Sequence, residues 1–223
     1  MIEKNSVDIQ KLVKKGDKDA LKKAQYIDQV ISHLSSGMSA RSIENISEIK
    51  SYLNEYNLIT LKPVIYVCNV DENSIIDGNK FSASFKDHIK SNIILISADI
   101  ESQIATLSNE EQSDFLSSLG LEESGLNKII REGYDTLNLI TYFTSGEMES
   151  RAWTIEKNTL APDAAGKIHT DFKSGFIRAE TISSEDFITC KGETKARELG
   201  KLRSEGKEYA VQDGDVMHFL FNN

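Results

Sequence analysis

The chain has 223 residues, 39% of them hydrophobic and 27% charged, and a formal net charge of −9. That length admits one large domain or two small ones with a buried core, and the acidic balance argues against bulk electrostatic binding to nucleic acid. No apolar run approaches the roughly 20 residues of a membrane span, and the lysine-bearing N-terminus lacks the apolar core of a secretory signal.

Spacing predicts two amphipathic helices across residues 6–57. Ile27, Val30, Ile31 and Leu34 fall at i, i+3, i+4 and i+7, and Ile46, Ile49, Leu53 and Tyr56 repeat the stripe. Gly16 interrupts the first helix and Ser35-Ser36-Gly37 ends it, so the pair should form an antiparallel hairpin over residues 1–57 about that Ser/Gly turn.

Residues 58–138 alternate strand and helix signals. A buried strand is expected at 63–68, running into Asn69-Val70-Asp71-Glu72, and a second at 92–96, ending in Ser97-Ala98. Helices are expected at 81–90, 100–119 and 124–137. Strands alternating with helices suggest a parallel sheet, but two strands resemble the tail of such a domain without its head.

From 139 onward short strands are expected at 139–143, 150–155, 176–181 and 209–221, with a helix at 163–172. Asp213-Gly214 is a hairpin signal within the last. Two strands, a helix and further strands around a small core make a ubiquitin-like β-grasp arrangement, with a domain boundary near 138. The fold class is therefore α/β and α+β.

The tetrapeptide Asn69-Val70-Asp71-Glu72 is the leading candidate site. In open α/β sheets ligands bind at the C-terminal ends of strands. An amide can pair with purine ring acceptors, and a carboxylate three residues on with ring or exocyclic N–H donors. Ser97-Ala98, ending the next strand, would offer a backbone N–H to the same base. G-protein loops read Asn-Lys-X-Asp; here Val70 stands for Lys and Glu72 for Asp, which shifts the expected base away from strict guanine. The bland alternative is an ordinary polar loop after a strand.

No Gly opens the G-x-x-x-x-G-K-[ST] pattern whose amides cradle phosphates, so the chain alone is not expected to transfer phosphoryl groups. His169 and Asp171 lack a third ligand and fit a capping or surface role better than a metal site. Trp153 reads as a core residue, or else as a stacking platform for RNA. Cys68 and Cys190 suggest a reducing compartment rather than a disulfide framework.

Two segments run against the acidic balance. Residues 1–23 carry seven Lys against four acids, and residues 191–207 carry six basic side chains against three Glu. Each could meet RNA or an acidic partner, or could be a solvated helix face with i,i+4 pairs.

The run Lys62-Pro63-Val64-Ile65-Tyr66-Val67-Cys68-Asn69-Val70-Asp71-Glu72 resembles the base-reading motif of the YchF, or Obg-like ATPase, family. Leu119-Gly120-Leu121-Glu122-Glu123-Ser124-Gly125-Leu126, Arg151-Ala152-Trp153-Thr154-Ile155, Ala164-Ala165-Gly166-Lys167-Ile168-His169-Thr170-Asp171-Phe172 and Val211-Gln212-Asp213-Gly214-Asp215-Val216-Met217-His218-Phe219 are similar to it as well. The resemblance implies a helical hairpin belonging to a coiled-coil insertion (1–57), the last part of a P-loop G domain (58–138) and a β-grasp TGS domain (139–223). It implies ATP, with GTP weaker, held by Asn69, Val70, Glu72, Ser97 and Ala98, and Mg²⁺ only if a missing N-terminal half is supplied. It further implies a cytoplasmic protein facing the ribosome or rRNA, with Lys195, Arg197, Lys201 and Arg203 as the better basic candidates, and neither a membrane nor a DNA sequence as partner. The runner-up is an inactive fragment, or a non-enzymatic RNA- or ribosome-interaction module.

Overall fold

Two helices open the fold, α1 (Ile2–Val13) and α2 (Lys18–Ser35). The computed structural model describes residues 2–89, 91–146 and 149–222. Its contacts divide the chain into two compact units, Met1–Val64 and Ile65–Asn223.

In the first unit α1 and α2 run antiparallel, with the Ser6 hydroxyl donating to Asp28 at 3.3 Å. The turn between them rests on Gly16, whose φ of 86° lies in the left-handed region where glycine has no Cβ penalty. Asp17 then caps α2, its Oδ1 accepting from Asp19 N at 3.0 Å and Ala20 N at 3.1 Å. This corrects the expected hairpin: the paired helices flank Gly16, not Ser35-Ser36-Gly37. A left-handed glycine followed by an N-cap is a stop and a start, so what reads as one interrupted helix is two. The second expected helix is α3 (Ile46–Leu53), prolonged by a 3-10 turn over Asn54–Tyr56. Ile9, Ala24, Ile27, Val30, Ile49 and Leu53 form the core of this unit.

The second unit contains two sheets. The smaller is β1 (Val67–Asn69) paired in parallel with β2 (Ile94–Ile96). Around it lie α4 (Lys80–Ile89), α5 (Ala98–Ile104), α6 (Asn109–Ser118) and α7 (Gly125–Thr136). The helix expected at 100–119 is broken in two, because Ser108 and Glu111 close a capping box that starts α6. The strands are shorter than expected, and β1 is not buried: Val67 and Asn69 are exposed and Cys68 is half-buried. Lys90, at the end of the expected helix 81–90, lies outside the described residues.

The larger sheet comprises β3 (Leu139–Ser145), β4 (Ser150–Glu156), β5 (Phe176–Ser183), β6 (Arg203–Glu205) and β7 (Asp215–Phe221), in the order β4-β3-β7-β5-β6. β3 and β7 are parallel at its centre, and the other neighbours are antiparallel. The helix expected at 163–172 is two, α8 (Ala161–Ile168) and α9 (Thr170–Ser174), with the His169 Nδ1 accepting from Asp171 N at 3.3 Å. Ala161, Ala164 and Ala165 pack with Tyr142, Met217 and Phe219 in the core. Asp213-Gly214 makes no hairpin; Asp213 Oδ1 accepts from Thr141 N at 2.7 Å and Gly214 N donates to Thr141 O at 2.8 Å, which starts β7 beside β3. Between β5 and β6 lie α10 (Ser184–Thr189) and α11 (Glu193–Glu198), which spacing alone does not reveal. Both cysteines are free thiols, and among the described residues no helix is long and apolar enough to cross a membrane.

Candidate nucleotide-base site

β1 and β2 end together, with Asn69 in register with Ile96. Parallel pairing aims both C-terminal ends the same way, so the loops after Asn69 and Ile96 lie side by side. The Ala98 N–H donates to Asn69 Oδ1 at 3.0 Å, closing the gap between them. Asn69 is exposed, and with its oxygen engaged the Nδ2 group is the part left to donate to a ligand. The same bond occupies the Ala98 amide that was expected to face the base.

Glu72 is also exposed, and its Oε1 accepts from Gln103 Nε2 at 2.8 Å. Gln103, from α5, thus fixes the carboxylate, and the other oxygen is available to accept. Asp71 turns back on its own loop, accepting from Ser74 Oγ at 2.9 Å. Val70 does not join the exposed group. It is 8% exposed and packs with Ile75, Ile100 and Ile104, while its N–H donates to Ile96 O at 2.8 Å. The residue in the place of the G-protein Lys is a core anchor. Ser97 is fully buried, and its Oγ has no hydrogen-bond partner among the described residues.

A buttress behind these loops escaped the sequence reading. Glu101, in α5, accepts from Gly125 N at 2.7 Å and Leu126 N at 3.2 Å, holding the first amides of α7. Ser124 caps the same helix by accepting from Asn127 N at 3.1 Å. A Cβ at Gly125 would stand 2.7 Å from Ile96 Cγ2 and 2.9 Å from Glu101 Oε1, so only glycine lets α7 approach β2 this closely. The Ser-Gly pair is legible as a helix start, but nothing in the sequence says which carboxylate meets it. A cavity of about 630 Å³ lies elsewhere, between α7 and β3, with Arg131, Tyr134 and Lys157 in its wall.

Comparison with known proteins matches this arrangement along almost the whole chain. A "Ribosome-binding ATPase YchF" of Escherichia coli O157:H7 is 47% identical over 217 residues, 96% of this chain and 60% of that protein. One of Bacillus subtilis is 44% identical, covering 99% of this chain and 62% of that protein. The solved Schizosaccharomyces pombe YchF GTPase superposes with a TM-score of 0.79 at 31% identity, over 98% of this chain and 63% of that one. The family model YchF-GTPase_C, described as "Protein of unknown function (DUF933)", matches residues 139–222. Over the length it spans, the chain matches the YchF family. It spans about 60% of the length of these relatives.

Within the segment matched by the YchF-GTPase_C model, the four basic candidates are mostly engaged. Arg197 donates to Glu180 at 2.7 Å and Glu193 at 2.9 Å. Lys201 pairs with Asp186 at 3.2 Å, and with the Ser183 hydroxyl this holds the Asp186 carboxyl below the usual carboxylate range. Arg203 donates to the buried Asp215 and to the Tyr209 hydroxyl, both at 3.1 Å. Lys195 alone of the four has no acidic partner among the described residues. Trp153 is half-buried against the core, with Nε1 donating to Thr144 Oγ1 at 3.0 Å and the Arg151 guanidinium 4.3 Å from its ring centroid.

Proposed function

We propose that this chain carries the purine-reading part of a YchF-type nucleotide site together with a ribosome-facing β-grasp module of the TGS kind. The observation that supports the first part is the Asn69–Ala98 bond across the coinciding ends of two parallel strands. It sets Asn69 Nδ2 as a donor for a ring nitrogen, with the Gln103-bound Glu72 carboxylate as an acceptor for an exocyclic amino group. A purine with an N7 acceptor beside an N6 amino donor is adenine, so ATP is the preferred nucleotide and GTP the weaker one. Val70 serves the site from beneath, and the buried Ser97 shapes the turn into α5.

Phosphate binding and Mg²⁺ belong to a phosphate loop this sequence does not spell. The chain therefore works with a further N-terminal portion of the family's length, and hydrolysis belongs to the pair. The order β4-β3-β7-β5-β6, with first and last strands parallel at the centre and α8 across one face, supports the β-grasp reading of residues 139–223. The ribosome-binding character of the relatives supports a ribosomal partner and hence a cytoplasmic setting.

Calorimetric titration of ATP and GTP, into this chain alone and mixed with the N-terminal portion of a YchF relative, tests the reading. Micromolar ATP binding by the mixture, lost in Asn69→Ala and absent from the chain alone, is the expected result. Equal binding by the chain alone overturns the division of the site. A second reading, a non-enzymatic ribosome-interaction module, is favoured by the self-contained core of the larger sheet; it predicts ribosome co-sedimentation with no nucleotide dependence.

A further inference from the structure

The two basic segments differ in what their charges touch. In 191–207, Arg197, Lys201 and Arg203 are spent on Glu180, Glu193, Asp186 and Asp215. At the turn between α1 and α2 the opposite holds. Lys14, Lys15, Lys18 and Lys22 are all exposed, and none forms an ion pair among the described residues. Nearby, Lys11 is paired with Asp8 and Lys23 with Glu55, both at 2.7 Å. The tip therefore presents four cations that the fold does not neutralise.

Its geometry is fixed by the fold. Gly16 reverses the chain tightly, Lys15 N donates to Leu12 O and Gly16 N to Val13 O, both at 2.9 Å, and the ends are clamped by the packed helices behind. The one acid inside the turn, Asp17, spends Oδ1 on two amides of α2 rather than on a lysine. Lys18 and Lys22 are one helical turn apart on α2, so their ammonium groups share a face, and Lys22 is steadied 5.7 Å from the Tyr26 ring centroid.

We infer that the Gly16 turn, through Lys14, Lys15, Lys18 and Lys22, is a docking surface for the phosphate backbone of structured RNA. Residues 11–25 contain no aromatic residue and no Arg. Protein interfaces draw their energy from Trp, Tyr and Arg and are depleted in Lys, so an acidic protein is the poorer match. A cluster of hydrated point charges without base-reading or stacking groups suits sequence-independent phosphate contact. The inference rests on the ribosome-facing reading above and names the surface that carries it. It also moves the main RNA contact away from Lys195, Arg197, Lys201 and Arg203.

The test uses the full chain with the four tip lysines changed together to Glu, beside a charge-matched control with the exposed Lys50, Lys62, Lys80 and Lys86 changed to Glu. Binding to double-stranded RNA is measured as a function of salt, with polyglutamate as a second probe and ribosome co-sedimentation as a third readout. Each lost phosphate contact should flatten the slope of log K against log salt by roughly 0.7–0.9, so the tip variant should lose about 3 and bind more than about tenfold more weakly at low salt. The control should stay within about one of the parent slope. Equal losses in both variants reduce the effect to net charge and overturn the inference, as does unchanged RNA binding by the tip variant. Polyglutamate binding that depends on the tip, without RNA binding, assigns an acidic protein instead and overturns it too. Parent chain that does not co-sediment with ribosomes defeats the ribosome-facing reading itself, whereas co-sedimentation that survives tip reversal defeats only the tip.

Discussion

Sheet β3–β7 and sheet β1–β2 lie in the same unit, yet they are built to opposite standards. The larger sheet buries Tyr142, Ala179 and Met217 almost completely, and carries α8 packed across one face. The smaller has two strands of three residues each, leaves Val67 40% exposed, and has Ile76 at 61% and Phe81 at 73% on the segments that flank it. Parallel sheets are ordinarily covered on both faces, and two strands alone are marginal in water. The larger sheet rests on an extensive core, the smaller on the cluster of Val70, Ile75, Ile100 and Ile104 with a few directed bonds beside it: Asn69 to Ala98, Val70 to Ile96 and Glu101 to Gly125. The candidate loops after Asn69 and Ile96 therefore stand on the weaker of the two sheets.

If the larger sheet rests on packing, emptying its centre should do the greatest damage. Tyr142 is fully buried, meets Phe219 edge-on at 5.9 Å and donates its hydroxyl to Ala164 O at 2.9 Å. Tyr142→Ala should cost about 3–5 kcal/mol in urea unfolding, as large-to-small aromatic changes do. Tyr142→Phe should cost nearer 1 kcal/mol, the worth of the one bond. A loss below about 1 kcal/mol for the alanine variant would erase the contrast between the two sheets.

Next in size is the polar latch at the other side of this sheet. Asp215, 3% exposed, accepts from Arg203, from the Tyr209 hydroxyl at 2.7 Å and from Gln212 N at 2.9 Å. Asp215→Ala strands three donors and should cost about 2–3 kcal/mol. Burial, then the hydrogen bond and charge of Asp215, push the Tyr209 phenol up to about 12 from its ordinary 10.0. A raised value means the fold favours the protonated phenol, so this contribution is complete below pH 10 and fades as pH climbs through 12. Alkaline titration followed by near-UV circular dichroism should show the latch loosening in that window, with the step absent in Tyr209→Phe.

The smaller sheet offers the complementary test. Gly125→Val would drive side-chain atoms into Ile96 and Glu101, and should cost about 1–3 kcal/mol by overpacking. Hydrogen exchange should place the loss on β1, β2 and α7, with β3–β7 protection unchanged. Uniform loss across both sheets would show that they unfold as one, against the division drawn here.

What the sequence disclosed follows the range of the interactions involved. Local chemistry was readable: Ser124 as a helix start, and the short strands β3 and β4. Gly16 was seen as an interruption but not as the hairpin turn, because a stripe at 3.6-residue spacing continues through either reading. Helices α10 and α11 are six residues each, too short to show a period. At the site, Asn69 and Glu72 were legible from residue type and position after a strand. That Val70 is a core anchor, and that Gln103 and Glu101 fix the carboxylate and the helix start, depends on residues about 25 to 30 positions apart in sequence. The ion pairs of the basic residues at 197–203 were illegible for the same reason, since their acidic partners at 180, 186 and 215 come from other elements.

The smallest expected effect is the most telling for the site. Asn69→Ala removes the acceptor of the Ala98 N–H, an exposed bond at the rim of the two-stranded sheet. A neutral hydrogen bond of this kind is worth about 0.5–1.5 kcal/mol, and here water can replace the lost oxygen, so the low end applies. Global stability should barely move, because the larger sheet has no contact with this bond in its core. Exchange of the Ala98 amide should nonetheless quicken, since Asn69 supplies its only hydrogen bond among the described residues. Asn69→Asp separates the two roles of the side chain: its oxygen can still hold Ala98, but the Nδ2 donor is gone. Amide protection at Ala98 retained in Asn69→Asp, with ATP binding by the completed site lost, would show that the amide joins the strand ends through one atom and reads the base through the other. Retained ATP binding in that variant would leave Asn69 a purely structural tie between β1 and α5.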